Sequence, residues 1–267
     1  MITIAIVKYK GLSEHYFEKS LYSALSQIGV YYMIDIYHEG KIKGYDYLDK
    51  VHLKEIPEGI CEKGSKIREY IVDNTETPYV AFWDSDDVYT VNRLHEQYKK
   101  IKKGSLDICF SNFGFFNNKK IYGKDFFSMI GYGDRIISIL DENYLGLGTV
   151  TAEVSYLRTL KPFPDLKTLD WWIAIKSVFK DALMDSCGIC GYYRLYEESL
   201  SNSFLNPQKK DFFNEINQKL SLYGLLSDRK RYDFYSEIQL DKDYEDLKRK
   251  FEERKYKNMW GGLIQYE

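Results

Sequence analysis

Little in this chain suggests a disulfide framework or a structural metal. Four cysteines in 267 residues are too few to staple a chain of this length. Cys187 and Cys190 form a lone Cys-x-x-Cys, whereas a zinc site would need a second pair or nearby histidines, and none follows. They are expected as two reduced thiols in or near a core strand. The four histidines (His15, His38, His52 and His95) lack metal-ligand spacing. A formal net charge of −2 gives no general attraction to nucleic acid or anionic lipid, so no nucleic-acid partner is expected. The apolar start, Met1 to Val7, is too short for a signal peptide and lacks a cleavage site. No segment is long and apolar enough to span a membrane. The expected location is the cytoplasm. There is no internal repeat and no low-complexity tract.

What is present is an ample supply of core residues, 44% hydrophobic, enough for one large α/β domain with or without an appendage. Ile2 to Val7 reads as a buried strand, and Ser13 to Ile28 as an amphipathic helix with Ser13 as N-cap. Strands follow at Tyr31 to Tyr37 and Val51 to Ile56, and a helix at Gly64 to Asp73. Tyr79 to Trp83 is another buried strand. This alternation predicts a mostly parallel sheet with helices on both faces. Val91 to Lys103 reads as a helix and Leu106 to Phe116 as a strand. Residues 121–148 read as a lid or acceptor-side region. Thr149 to Tyr156 reads as a strand or strand–helix junction, Leu169 to Phe179 as a helix, and Ile189 to Leu195 as a strand. Beyond Pro207 the chain reads as helical and charged. The domain reading is therefore a catalytic domain over 1–207 and a helical extension over 208–267.

The strand from Tyr79 ends in Asp84, Asp86 and Asp87. Strand alternation would point Asp84 and Asp86 the same way and Asp87 the other. Like charges at one strand end repel unless a cation lies between them, and a hard divalent ion is the simplest remedy. A solvated turn is the other reading of such a stretch. Open parallel sheets bind ligands at the carboxyl ends of their strands, where these residues lie.

Four segments, in order, resemble the family 2 glycosyltransferases of the GT-A fold. Strand, Lys8-Tyr9-Lys10 and the helix with Leu21-Tyr-Ser-Ala-Leu-Ser-Gln27 are similar to the family's first strand, loop and helix. Gly64-Ser-Lys-Ile-Arg68 resembles the segment before the metal strand. Phe82-Trp-Asp-Ser-Asp-Asp87 resembles the Asp-x-Asp-Asp signature. Leu169-Asp170-Trp171-Trp172 resembles the helix start that carries the base. A fifth segment, Tyr193 to Ser201, is similar to the family's Tyr-Arg-x-His element, with Tyr196 in place of the histidine. Val7 and Lys10 stand where the family has Pro and Asn, and Glu39 where an Asp often contacts the base.

The resemblance implies a GT-A, Rossmann-like α/β fold and an inverting transfer from a nucleotide-diphospho-sugar, UDP by family frequency, to a glycan or saccharide hydroxyl. It implies Mn2+ or Mg2+ held by Asp86, and Asp170 as the base. Val7, Lys8, Tyr9, Glu39, Arg68, Asp84 and Ser85 would bind the donor. Asp87, Trp171, Trp172, Arg194 and Tyr196 are candidates for acceptor or diphosphate contact. Residue by residue, a plainer role stands beside several of these: surface charge for Lys8 and Arg68, core packing for Tyr9 and both tryptophans, a helix cap for Asp170. The C-terminal helices are candidates for peripheral membrane or homo-oligomer contact. Two other functions fit parts of the pattern. A sugar nucleotidyltransferase would carry a Gly-rich first loop, and this loop has one glycine. A non-catalytic glycan-binding protein could keep the fold.

Overall fold

In the computed structural model the described residues are 1–40, 42, 44, 45, 48–60, 64–116, 121–123, 146–164, 169–180 and 182–194. The chain divides into two compact units. One comprises Met1–Ile130 with Asn143–Tyr196, the other Gly131–Glu142 with Glu197–Glu267. The second lies outside the described residues. So do the expected extension over 208–267 and most of the expected lid.

The first unit is built on a sheet ordered β3-β2-β1-β4-β8-β6-β9-β5, with β7 paired to β6. Its strands are β1 (Ile2–Lys8), β2 (Tyr32–His38), β3 (Val51–Glu55), β4 (Tyr79–Trp83), β5 (Val88–Tyr89), β6 (Ile108–Phe116), β7 (Ile121–Gly123), β8 (Val150–Glu153) and β9 (Met184–Arg194). β1 to β4 pair in parallel. β8 then enters antiparallel between β4 and β6, and β9 returns parallel to β6. The amino-terminal half is thus a run of parallel strands, with helices in the β1–β2 and β3–β4 connections. The antiparallel insertion brings residues 147–149 back to the end of β4.

Helix α1 (Glu14–Leu25) lays Phe17, Leu21 and Ala24 on Ile2, Ile4 and Ile6 of β1. Those isoleucines share one face of the strand, and the helix residues share one stripe, so the two periodicities meet. Ser13 sits at the N-cap position but makes no side-chain cap bond. The helix stops at Leu25, short of Ile28, because the Ile28 N–H donates to Val91 O at 3.0 Å instead of within the helix. Buried Gln27 fastens this end, donating to Ser23 O and Thr90 O and accepting from Leu94 N. Helix α2 (Gly64–Asn74) buries Ile67, Arg68, Ile71 and Val72.

α3 (Arg93–Gly104) follows the short β5, which the sequence reading had passed over. α4 (Val154–Thr159) continues directly from β8, and α5 (Leu169–Phe179) lies close to its expected bounds. β9 begins at Met184 rather than Ile189. Its early residues include Asp185 and Ser186, whose polarity hides a strand that is paired along its whole length with β6.

Candidate active site

β1 lies between β2 and β4, and all three run the same way, so their carboxyl ends share one edge. Register sets Ile6 beside Trp83 and Lys8 beside His38. Val7, Lys8, Tyr9, Glu39 and the carboxylates are therefore brought to one rim. The carboxylates do not alternate as a strand would have them. β4 ends at Trp83, and Asp84 to Asp87 form a turn. Each carboxylate lies near the other two: Asp86 raises Asp84, and both raise Asp87.

Asp84 is the most heavily fastened. Arg68 Nη2 donates to its Oδ1 at 3.0 Å, with side-chain exposures of 7% and 32% for Arg68 and Asp84. Its carbonyl accepts from Ser20 Oγ at 2.8 Å, its own N–H donates to Tyr89 Oη at 3.2 Å, and its carboxylate accepts from the backbone N–H of Gly148. Burial pushes the Asp84 carboxyl up, while Arg68 pulls it down. Arg68 also faces the Phe82 ring at 5.5 Å. Its Nη1 is buried with no hydrogen-bond partner among the described residues. Ser85 and Asp87 are buried, at 3% and 5% exposure, whereas Asp86 is half-buried.

Arg194 is 2% exposed and is spent on the turn itself. Its Nε donates to Asp86 O, its backbone N–H to Asp87, and its guanidinium lies between the rings of Tyr16 and Phe116. It is a clasp on the turn. Asp87 likewise faces inward to that clasp. Lys8 is engaged by Glu14 at 2.7 Å and lies over the rings of Phe17 and Tyr45. Glu14 also accepts from Tyr45 Oη, and both bonds hold its carboxyl below the usual range. Val7 is buried at 1%, so it offers the rim only backbone.

Asp170 stands half-buried in the first turn of α5. Trp172, two residues on, is 1% exposed and packs edge-on to Phe163. Buried to this extent, it packs as a core residue. The Trp171 side chain and Tyr196 lie outside the described residues. Among the described residues no group of three His, Cys, Asp or Glu side chains is arranged to hold a metal. The hard oxygens of Asp84 and Asp86 suit an ion that brings phosphate oxygens with it, as Mg2+ and Mn2+ do at nucleotide sites, rather than a protein cage.

The sequence reading missed what lies beneath the turn. Arg93 is fully buried against both Trp83 and Tyr89, with its guanidinium carbon 4.5 and 4.3 Å from the ring centroids. It donates to Phe82 O, Val150 O and Gln97 Oε1. Gln97 also accepts from Thr151 Oγ1 and donates to Cys109 O and Thr149 O. Burial depresses the Arg93 guanidinium, offset chiefly by Tyr89. One signal was available: Gln97 sits in the apolar stripe of α3 between Leu94 and Ile101, where an unpaired amide would be costly. Cys187 and Cys190 are free thiols in β9 with sulfurs 3.7 Å apart. Contact with Cys109 raises the Cys187 thiol to about 12. The bond from Cys187 and burial raise the Cys190 thiol as well. Both remain protonated and unreactive.

Comparison with solved structures sets this arrangement beside S. aureus TarS. Its 1–349 fragment matches all of this chain and 75% of its own length, at a TM-score of 0.62 and 14% identity. This is the GT-A fold. The same fragment in complex with UDP-GlcNAc matches 99% of this chain and 76% of its own length, again at 0.62, with 15% identity. No family model matches the chain. The Escherichia coli UDP-Glc:alpha-D-GlcNAc-diphosphoundecaprenol beta-1,3-glucosyltransferase WfgD is 28% identical over 138 residues. That match covers 50% of this chain and 52% of WfgD, so the chain spans about half the length of this curated relative. The resemblance to family 2 glycosyltransferases is borne out by these likenesses. Among the described residues no helix is long and apolar enough to cross a membrane.

Proposed function

We propose that this GT-A protein transfers a sugar from a UDP-sugar to a saccharide hydroxyl, with inversion and with a divalent ion. The observation that carries the donor reading is Arg68. Its guanidinium is buried, one nitrogen is on Asp84, and the other has no partner among the described residues. A buried cation with an unused donor at the rim of a strand end suits an anionic or hydroxyl-rich ligand. WfgD takes UDP-Glc by its name, and TarS has been seen with UDP and UDP-GlcNAc. Both likenesses support a uridine donor. The diphosphoundecaprenol acceptor in the WfgD name makes a saccharide on a lipid diphosphate the first acceptor to try.

In this mechanism Asp86 would hold Mn2+ or Mg2+, and Asp84 orients the ribose or donor sugar. The ion would supply charge neutralisation at the leaving diphosphate. Arg194 and Tyr89 keep the turn in shape from inside. Asp170 removes the acceptor proton from the face opposite the diphosphate, which gives an inverted product. Tyr9, half-buried just past β1, is placed for stacking on the base. Lys8 joins the phosphates only by exchanging Glu14 for them.

The test is Asp86→Asn. UDP binding in the presence of Mn2+, measured by titration calorimetry, should be lost in the variant and present in the wild type. Unchanged affinity in the variant would remove Asp86 from the metal role. Release of UDP from UDP-glucose or UDP-GlcNAc by the wild type, dependent on Mn2+, would separate a transferase from a glycan-binding protein.

A further inference from the structure

Tyr89 is one of only two residues in β5, and it is 6% exposed. No motif of the sequence reading includes it. Its ring lies on the Trp83 indole, with centroids 4.1 Å apart, and against the Arg93 guanidinium. Its hydroxyl accepts the backbone N–H of Asp84. Asp84 thus begins the turn with its N–H tied to a ring that cannot swing without disturbing two neighbours.

Two glycines make the slot for this ring. A Cβ on Gly148 would stand 2.5 Å from the Tyr89 hydroxyl and would also collide with Asp84 Oδ2. A Cβ on Gly191 would stand 3.0 Å from two carbons of the ring. Neither glycine has left-handed backbone, so space and not conformation demands them. Gly148 lies in the 3-10 turn that leads into β8, and Gly191 pairs with Tyr89 in the sheet. Elements from three distant parts of the chain therefore converge on one phenol and one carboxylate. Phenylalanine would fill the slot as well, and the hydroxyl is the part that packing does not explain.

We propose that Tyr89 is a positioning residue whose hydroxyl fixes the Asp84 backbone, and with it the carboxylate, in the geometry that receives the donor. The proposal rests on Asp84 being a donor contact, as read above. Without the hydroxyl the Asp84 N–H loses its acceptor, and the residue is left with Ser20 on its carbonyl and Arg68 and Gly148 on its carboxylate.

The experiment compares wild type with Tyr89→Phe in the full chain. It reads melting temperature, hydrogen exchange at the Asp84 amide, and UDP affinity with Mn2+. The expected result is a slightly lower melting temperature, faster exchange at Asp84, and affinity about tenfold weaker, the worth of one hydrogen bond to a buried group. Equal affinity in wild type and Tyr89→Phe overturns the positioning role and leaves the donor reading intact. A lower melting temperature with normal affinity in the folded fraction marks Tyr89 as packing alone and also overturns it. If the wild type binds no UDP with Mn2+, the donor reading falls and takes this proposal with it. Should Tyr89→Phe not fold, Gly148→Ala crowds the same hydroxyl and carboxylate, and unchanged affinity there would be equally fatal.

Discussion

The backbone N–H of Arg194 donates to Asp87 Oδ1 at 2.8 Å, so the last described residue of β9 holds a carboxylate that is 5% exposed. One N–H and a nearby guanidinium do not fully offset that burial. The Asp87 carboxyl is raised well above its ordinary 3.8, by burial first and then by Asp86 and Asp84. A raised carboxyl binds its proton more tightly in the folded state. Its contribution to stability is complete below the unfolded value and is lost as pH rises through the folded one. Asp87→Asn keeps the acceptor for Arg194 and removes the buried charge. It should melt at a higher temperature than wild type near neutral pH, with the gain shrinking toward about pH 4. Melting curves across that range check it. A gain independent of pH would mean that Asp87 is not the titrating group.

Asp170→Asn tests the base. UDP and Mn2+ should bind the variant as they bind wild type, while transfer falls by roughly 10²–10⁴-fold. Proton NMR of the early wild-type product should show the anomer inverted relative to the donor. Near-normal transfer in the variant would leave Asp170 as a first-turn helix residue and nothing more.

Trp172→Ala should destabilise the fold by about 3–5 kcal/mol, the usual cost of emptying a core aromatic site. Denaturant unfolding measures it. The fraction that stays folded should show an unchanged KM for the acceptor, because the ring is covered by Phe163.

Gln97→Glu should be more damaging than its size suggests. The amide donates to the carbonyls of Cys109 and Thr149, and a carboxylate would set an oxygen against each of them. A loss of about 3 kcal/mol or more is expected, from two stranded carbonyls and a buried charge. Gln97→Met, which leaves the carbonyls unpaired without adding charge, should lose less. Thermal unfolding of the pair distinguishes them.

The rim of the site was legible in the sequence and its underside was not. Asp84 and Asp86 announce themselves because, with Asp87, they put three carboxylates within four residues at the end of an apolar strand. Arg68 was named through the resemblance of its segment to the family's, and its pairing with Asp84 gives that position a physical reason. The strand alternation expected for Asp84 to Asp87 failed because β4 had already ended, and a turn sets its own directions. Tyr89, Gly148 and Arg93 went unread because each acts through partners far along the chain, such as Gly191 for Tyr89, Asp84 for Gly148 and Val150 O for Arg93. Local periodicity carries no record of such partners. The clasp that Arg194 makes on the turn went unread because an exposed and a buried arginine look alike in a motif. Trp172 was ambiguous for the same reason.

The antiparallel entry of β8 has a consequence for synthesis. β1 to β4 are contiguous in the chain and can pair as soon as they leave the ribosome. β4 is then the open edge of a four-stranded parallel sheet, apolar on both faces, and its partner is supplied by Val150–Glu153. Throughout the intervening elongation that edge is a template for any other extended chain. A nascent chain halted between these two strands is therefore the species most in need of a chaperone, and the gap between β4 and β8 is where a slowed codon would do most harm to yield.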